Sequence, residues 1–144
     1  MTVAFSPTSP SNSFYSEQWE PVSLTFGMPL ALQQMFDKLA ALASLPENWD
    51  GYGSLPLQPL AKKTASNLLR MIFLHGLPIP HFVPVSGGGI QMEWQKNKRE
   101  MELEVLPNGE ILFLVVDQTG RMQEGSLPHS LSPTMQALAA WLNQ

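Results

Sequence analysis

The stretch that decides the fold runs from Ile90 to Val116 and reads IQMEWQKNKREMELEVLPNGEILFLVV. Apolar and polar residues alternate along most of it, a period of two that is typical of strands with one buried face. The apolar members of its first two-thirds are Ile90, Met92, Trp94, Met101, Leu103 and Val105. Two turn sequences, Lys96–Arg99 and Pro107–Gly109, divide the stretch, so it predicts three consecutive antiparallel strands.

The lengths of these turns predict the register of the sheet. If Asn97-Lys98 is a two-residue turn, Glu93 lies opposite Glu102, which sets like charges against each other. The same turn pairs Trp94 with Met101 and Met92 with Leu103. A three-residue loop, Pro107-Asn108-Gly109, pairs Val105 with Ile111, Leu103 with Phe113 and Met101 with Val115.

The flanking sequence completes an α+β plan. Helical spacing of apolar residues predicts a helix over 29–45, a second one that begins at Pro59 and closes at His75-Gly76, and a last one over 133–142. Pro80 and Pro84 lack amide donors and therefore place a strand over 82–85 at an edge of the sheet. A short strand near 122–125 is the fifth. The expected fold has two N-terminal helices, a four- to five-stranded antiparallel meander sheet and one C-terminal helix, in a single domain over 28–144.

Composition narrows the function classes. The chain has 144 residues and no cysteine, which removes disulfides and thiolate chemistry. Its formal charge is −4, with 8 basic and 12 acidic residues, and the basic residues are scattered, so nucleic-acid binding is disfavoured. Residues 1–27 are Ser/Pro-rich without Lys or Arg, which predicts a partly ordered segment and no secretory leader. No apolar run is long enough to cross a membrane, and a cytoplasmic location is expected.

The predicted register places three aliphatic side chains, Leu112, Leu114 and Val116, on the same sheet face as the glutamates of the preceding strand. Side chains of this size are normally covered. This aliphatic row could be covered in three ways: by the aromatic residues of the N-terminal segment, by a second copy of the chain, or by a different protein partner. Glu93, Glu102 and Glu104 share this face and make it acidic.

The loop Trp49-Asp50-Gly51-Tyr52-Gly53 allows two interpretations. In the first it is a structural corner, in which Asp50 accepts hydrogen bonds from loop amides and the aromatic rings cap the helix ends. In the second, Trp49 and Tyr52 form an aromatic platform for a ligand and Asp50 is a polar anchor.

The sequence contains no strong catalytic motif. Gly87-Gly88-Gly89 precedes a strand, whereas a phosphate loop precedes a helix, so we interpret it as a hairpin turn. The three histidines are far apart, no Gly-x-Ser-x-Gly sequence is present, and no cofactor is expected. The strand glutamates suit a hard cation such as Mg²⁺, so a metal-dependent hydrolase or nuclease that uses Glu93, Glu102 and Glu104 with Asp50 is one hypothesis.

Two of these motifs together resemble a family of small bacterial proteins. The loop Trp49–Gly53, followed by Pro56, matches its WDGYG loop, and Gly88-Gly89-Ile90-Gln-Met-Glu93-Trp94 matches its GGIxxEW strand. The likeness extends from about Leu45 to Val116, with Asn48 and Ser54 as departures. The family has no established activity. Small proteins of this kind are often encoded in accessory or defence-type gene pairs, so the resemblance slightly favours an antitoxin- or immunity-like role.

The sequence therefore favours a non-enzymatic protein-binding domain, antitoxin- or immunity-like or an accessory subunit, which uses the acidic-apolar sheet face. The expected binding residues are Trp49, Asp50, Tyr52, Glu93, Glu102, Glu104, Leu112, Leu114 and Val116. The alternatives are the metal-dependent hydrolase or nuclease and a structural homo-oligomer.

Overall fold

A computed structural model describes residues 27–144, and the predictions for the N-terminal segment fall almost entirely outside this range. The described residues form an α+β fold with three helices and one five-stranded antiparallel sheet, as the sequence predicts. The elements are α1 (Leu30–Ala43), α2 (Pro59–Leu74), β1 (His81–Val85), β2 (Gly89–Lys96), β3 (Arg99–Val105), β4 (Ile111–Val116), β5 (Met122–Ser126) and α3 (Leu131–Leu142).

The helix ends follow local chemistry. Helix α1 ends at Ala43 rather than at the predicted Leu45, because Pro46 disfavours helical backbone at the residue before it. Helix α2 begins at Pro59, where no intrahelical donor is needed, and closes on Gly76 at φ +76°. The amide of Leu77 then donates to the carbonyl of Ile72, which satisfies one of the last carbonyls of the helix.

The sheet is a meander in the order β1-β2-β3-β4-β5, with β1 at an edge as its prolines predict. All of the residue pairs predicted between neighbouring strands are confirmed, including Glu93 opposite Glu102 and Leu103 opposite Phe113. The turn residues Asn97 and Lys98 have φ of +55° and +62°, the left-handed backbone that a two-residue hairpin turn requires.

One sheet face packs on the helices and forms the core. The strands contribute Ile90, Met92, Trp94, Met101, Leu103, Val105, Ile111 and Val115, all buried. The helices contribute Met35, Leu39, Leu68, Ile72, Met135 and Leu142, among others. Because strand side chains alternate, the intervening residues of every strand lie on the opposite face, called here the open face.

Candidate functional site

The open face carries a band of carboxylates. Glu93 of β2 lies opposite Glu102 of β3, and Glu102 lies opposite Leu114 of β4. Leu114 in turn lies opposite Glu124 of β5, so one row across the sheet reads His81, Glu93, Glu102, Leu114, Glu124. The adjacent rows bring Glu100 opposite Val116 and Glu104 opposite Leu112.

These carboxylates share the face with no lysine or arginine of the five strands. The two basic strand residues, Lys96 and Arg99, lie at the far end of the β2–β3 hairpin and bond to Asn143 and Gln144 at the end of the chain. Within the described strands, every ionisable side chain of the open face other than His81 is therefore a carboxylate.

The electrostatic consequence is clearest at Glu102. Partial burial raises the pKa of its carboxyl, and the negative charges of Glu93, Glu100 and Glu104 raise it further. The negative charge of Glu93 is partly compensated by a side-chain amide on its own strand, since Gln91 Nε2 donates to its Oε2 over 2.6 Å. The centre of the face is thus a place where a cation would be favoured.

Three aliphatic side chains border the carboxylates. Leu112, Leu114 and Val116 are half-buried, yet they belong neither to the core cluster nor to the hydrophobic residues packed against it. A shallow groove of about 410 Å³ extends from β2 to β5, and its apolar walls include Leu112, Phe113 and Leu114. Its polar walls are Gln91, Glu102, Glu104, Glu124 and Ser126.

The loop from Asn48 to Ser54 has a different character, because its polar atoms bond to one another. Asp50 Oδ1 accepts from the amides of Tyr52 (2.9 Å) and Ser54 (3.2 Å), and Asp50 Oδ2 accepts from Ser86 Oγ (3.3 Å). The hydrogen bond from the Tyr52 amide is the main reason that the pKa of Asp50 is lowered. Asn48 adopts φ +62° and accepts the Gly53 amide on its side chain.

This loop is also joined to the hairpin turn before β2. Ser54 Oγ accepts the Gly87 amide (3.0 Å), and the Gln58 amide donates to the Gly88 carbonyl (3.0 Å). A side chain at Gly88 would meet Gln58 Cγ at 2.6 Å and the Pro56 carbonyl at 2.9 Å, so only glycine fits there. The contacts correspond to the structural-corner interpretation of Asp50.

The aromatic residues of the loop divide between two roles. Trp49 Nε1 donates to the Leu55 carbonyl (3.3 Å) and holds the loop closed. The structural interpretation predicts that the ring of Tyr52 caps a helix end. It does not, because Tyr52 is 93 % exposed.

The structure therefore brings together six of the nine predicted binding residues, namely Glu93, Glu102, Glu104, Leu112, Leu114 and Val116, on one face. It places Trp49, Asp50 and Tyr52 elsewhere, in the loop beside the β1–β2 turn. Sequence reasoning missed Glu124, which lies on the open face beside Leu114. The feature that could have identified Glu124 is the Asp117–Arg121 turn. There the Arg121 carbonyl accepts the Asp117 amide, which sets the register of β5.

Metal ligation finds no geometric support on this face. Among residues 27–144, no three His, Asp or Glu side chains are grouped so that they could hold a metal ion. The carboxylates follow the strands as a band, and Asp50 is engaged with amides of its own loop.

No protein-family model, curated protein or solved structure matches this chain. Among the described residues, no helix is both long and apolar enough to span a bilayer.

Proposed function

We propose that this protein is a non-enzymatic binding domain that holds a basic segment of another protein against its open face. The single observation that carries the proposal is the row Glu93, Glu102, Leu114, Glu124, which sets carboxylates beside aliphatic surface with no basic strand residue among them. A domain of this kind would act as an accessory subunit or as an antitoxin- or immunity-like protein.

Charge decides what kind of partner fits. The carboxylates of the open face attract a basic surface and speed its association. Partial burial first, and then repulsion by the neighbouring carboxylates, raises the pKa of Glu102, and a bound cationic side chain would offset the repulsion. The aliphatic row adds apolar area, worth about 25 cal/mol per Å² removed from water. A segment that presents basic and apolar side chains on the same side satisfies both requirements.

The same charges disfavour a second copy as the occupant of this face. A two-fold interface joins the same patch on both subunits, so it would bring Glu102 and Glu104 of one copy near those of the other. Like charges in such a contact are destabilising unless cations are trapped between them. The homo-oligomer is therefore an outcome for the experiment rather than part of the proposal.

Site-specific photo-crosslinking in the native cells tests the proposal. We would place p-benzoylphenylalanine at position 114 on the open face and, as the matched control, at the exposed position 136 of α3. The expected result is an adduct with one other polypeptide at position 114 and none at position 136. No adduct at position 114, or only one of twice the chain mass, contradicts the proposal.

A purified partner then allows the charge argument to be measured. We expect the combined substitutions Glu102→Gln and Glu104→Gln to weaken binding at least tenfold at low salt, and high salt to weaken the wild-type complex in the same way. Glu47→Gln removes one exposed carboxylate away from the sheet and serves as the control. Equal binding by all variants would show that the carboxylates do not select the partner.

A further inference from the structure

The two edges of the sheet differ in what their backbones can offer. Strand β1 contains Pro84 and follows Pro80, so it lacks a donor where an added strand would need one. Strand β5 has no proline, and all five of its residues, Met122 to Ser126, are exposed. Within residues 27–144 it pairs on one side only, with β4. It also lacks the lysines and prolines that commonly protect an edge from added strands.

The hydrogen bonds at both ends of the β4–β5 hairpin show which amides of β5 point outward. The Asp117 amide donates to the Arg121 carbonyl, and the Leu127 amide donates to the Ile111 carbonyl. Bonded and non-bonded pairs alternate along an antiparallel ladder. The residues between them that bond to β4 are therefore Gln123 and Gly125, and the amides and carbonyls of Met122, Glu124 and Ser126 point away from the sheet.

The same three residues have their side chains on the open face, opposite Val116, Leu114 and Leu112. A strand that pairs with them would place every second side chain on that face, directly beside Glu124. Neighbouring strands lie about 4.8 Å apart, so a lysine opposite Glu124 would reach its carboxylate.

From these two independent features, the outward backbone of β5 and the acidity beside it, we propose that the partner binds as an extended segment. It adds a sixth strand along Met122–Ser126 and sets a basic residue opposite Glu124. This rests on the proposed function and names how the partner is held. Strand addition is a common way for an exposed sheet edge to bind a peptide, with backbone bonds providing affinity and alternate side chains providing specificity.

The test uses the full chain and the peptide acetyl-Lys-Val-Lys-Val-Lys-amide, titrated at low salt. Glu124→Pro removes both the carboxylate and the outward amide at this position, but none of the backbone bonds to β4. Glu124→Gln is the matched control, because it removes the charge and keeps the amide. We expect saturable binding by the wild type, binding about threefold to tenfold weaker by Glu124→Gln, and loss of binding by Glu124→Pro.

Amide hydrogen exchange, read by NMR on the wild type, provides a second measurement that needs no variant. In the free protein the amides of Met122, Glu124 and Ser126 are expected to exchange much faster than those of Gln123 and Gly125. Saturation with the peptide is expected to slow the first group at least tenfold and to leave the second group unchanged.

Three results would overturn the inference: no saturable peptide binding, unchanged exchange at the three outward amides, or full binding by Glu124→Pro. A wild-type dimer in light scattering that Glu124→Pro converts to a monomer would show that a second copy occupies the edge instead. If the polypeptide captured at position 114 still binds Glu124→Pro, the proposed function stands and strand addition alone is rejected.

Discussion

The loop from Asn48 to Ser54 and the open face of the sheet both contain carboxylates and large apolar side chains, but they use them in opposite ways. In the loop, Asp50 accepts three hydrogen bonds from its own surroundings, and its pKa is lowered. On the open face, partial burial and the surrounding carboxylates raise the pKa of Glu102. Hydrogen bonds from within the fold stabilise a carboxylate such as Asp50 and the loop around it. Carboxylates that repel one another, as on the open face, are instead stabilised when a positively charged partner binds.

The largest predicted effect compares the two faces of the sheet. Leu103 is fully buried, so Leu103→Ala should lower the free energy of unfolding by about 3 kcal/mol, while the half-buried Leu114→Ala should lower it by about 1 kcal/mol or less. Urea denaturation of both variants measures the difference. Equal losses would mean that the Leu112–Val116 row supports the fold as much as the core does.

An effect of similar size concerns the junction between the loop and the β1–β2 turn. Gly88→Ala forces a positive φ on alanine and drives its methyl group into Gln58 and Pro56, so we expect a loss of about 3 kcal/mol. Gly87→Ala is the matched control, because Gly87 also has a positive φ but has open space around it, and it should cost about 1 kcal/mol. Similar losses would show that backbone strain alone matters and that the loop contact adds nothing.

The pH dependence of stability separates the loop carboxylate Asp50 from Glu102 on the open face. Because the folded pKa of Asp50 lies below its ordinary value of 3.8, its contribution is present above that value and is lost as the pH falls through the folded pKa. Asp50→Asn should therefore reduce stability at pH 7 and have little effect in strong acid. Thermal melts from pH 2 to pH 7 measure this, and a constant offset at every pH would assign the effect to geometry rather than to charge.

The sequence predicts the sheet well for physical reasons. A strand shifted by one residue would expose Met92, Met101 and Leu103, so alternation permits one register only. Turn chemistry agrees, because Asn97 accepts left-handed backbone and Pro107-Asn108-Gly109 is a turn sequence. The open face follows from the same alternation, and this is why its carboxylates and aliphatic row could be named in advance.

The rest of the site depends on contacts that no local pattern encodes. The bond between Asp50 and Ser86 joins residues 36 positions apart, so the structural role of the loop was one of two open interpretations. Strand β5, with the sequence MQEGS, has weak strand propensity, and its register depends on side-chain bonds of Asp117 within the turn. Without that register, Glu124 could not be assigned to the open face.

The smallest predicted effect tests whether the open face is strained in the free protein. The folded pKa of Glu102 lies above its ordinary value of 4.5, so the ionised carboxylate opposes folding, and the stability gained in acid is lost as the pH rises through the folded pKa. Glu102→Gln should therefore stabilise the protein at pH 7 by about 0.5 kcal/mol or less, because solvent screens a partly exposed group, and this gain should vanish below pH 4. Glu110→Gln, an exposed carboxylate in the turn after β3, should leave stability unchanged. Urea denaturation at pH 7 and pH 3.5 distinguishes the outcomes. A stability loss in Glu102→Gln at pH 7 would mean that Glu102, like Asp50, is satisfied within the fold, and the difference between the two regions would no longer mark the open face as the binding surface.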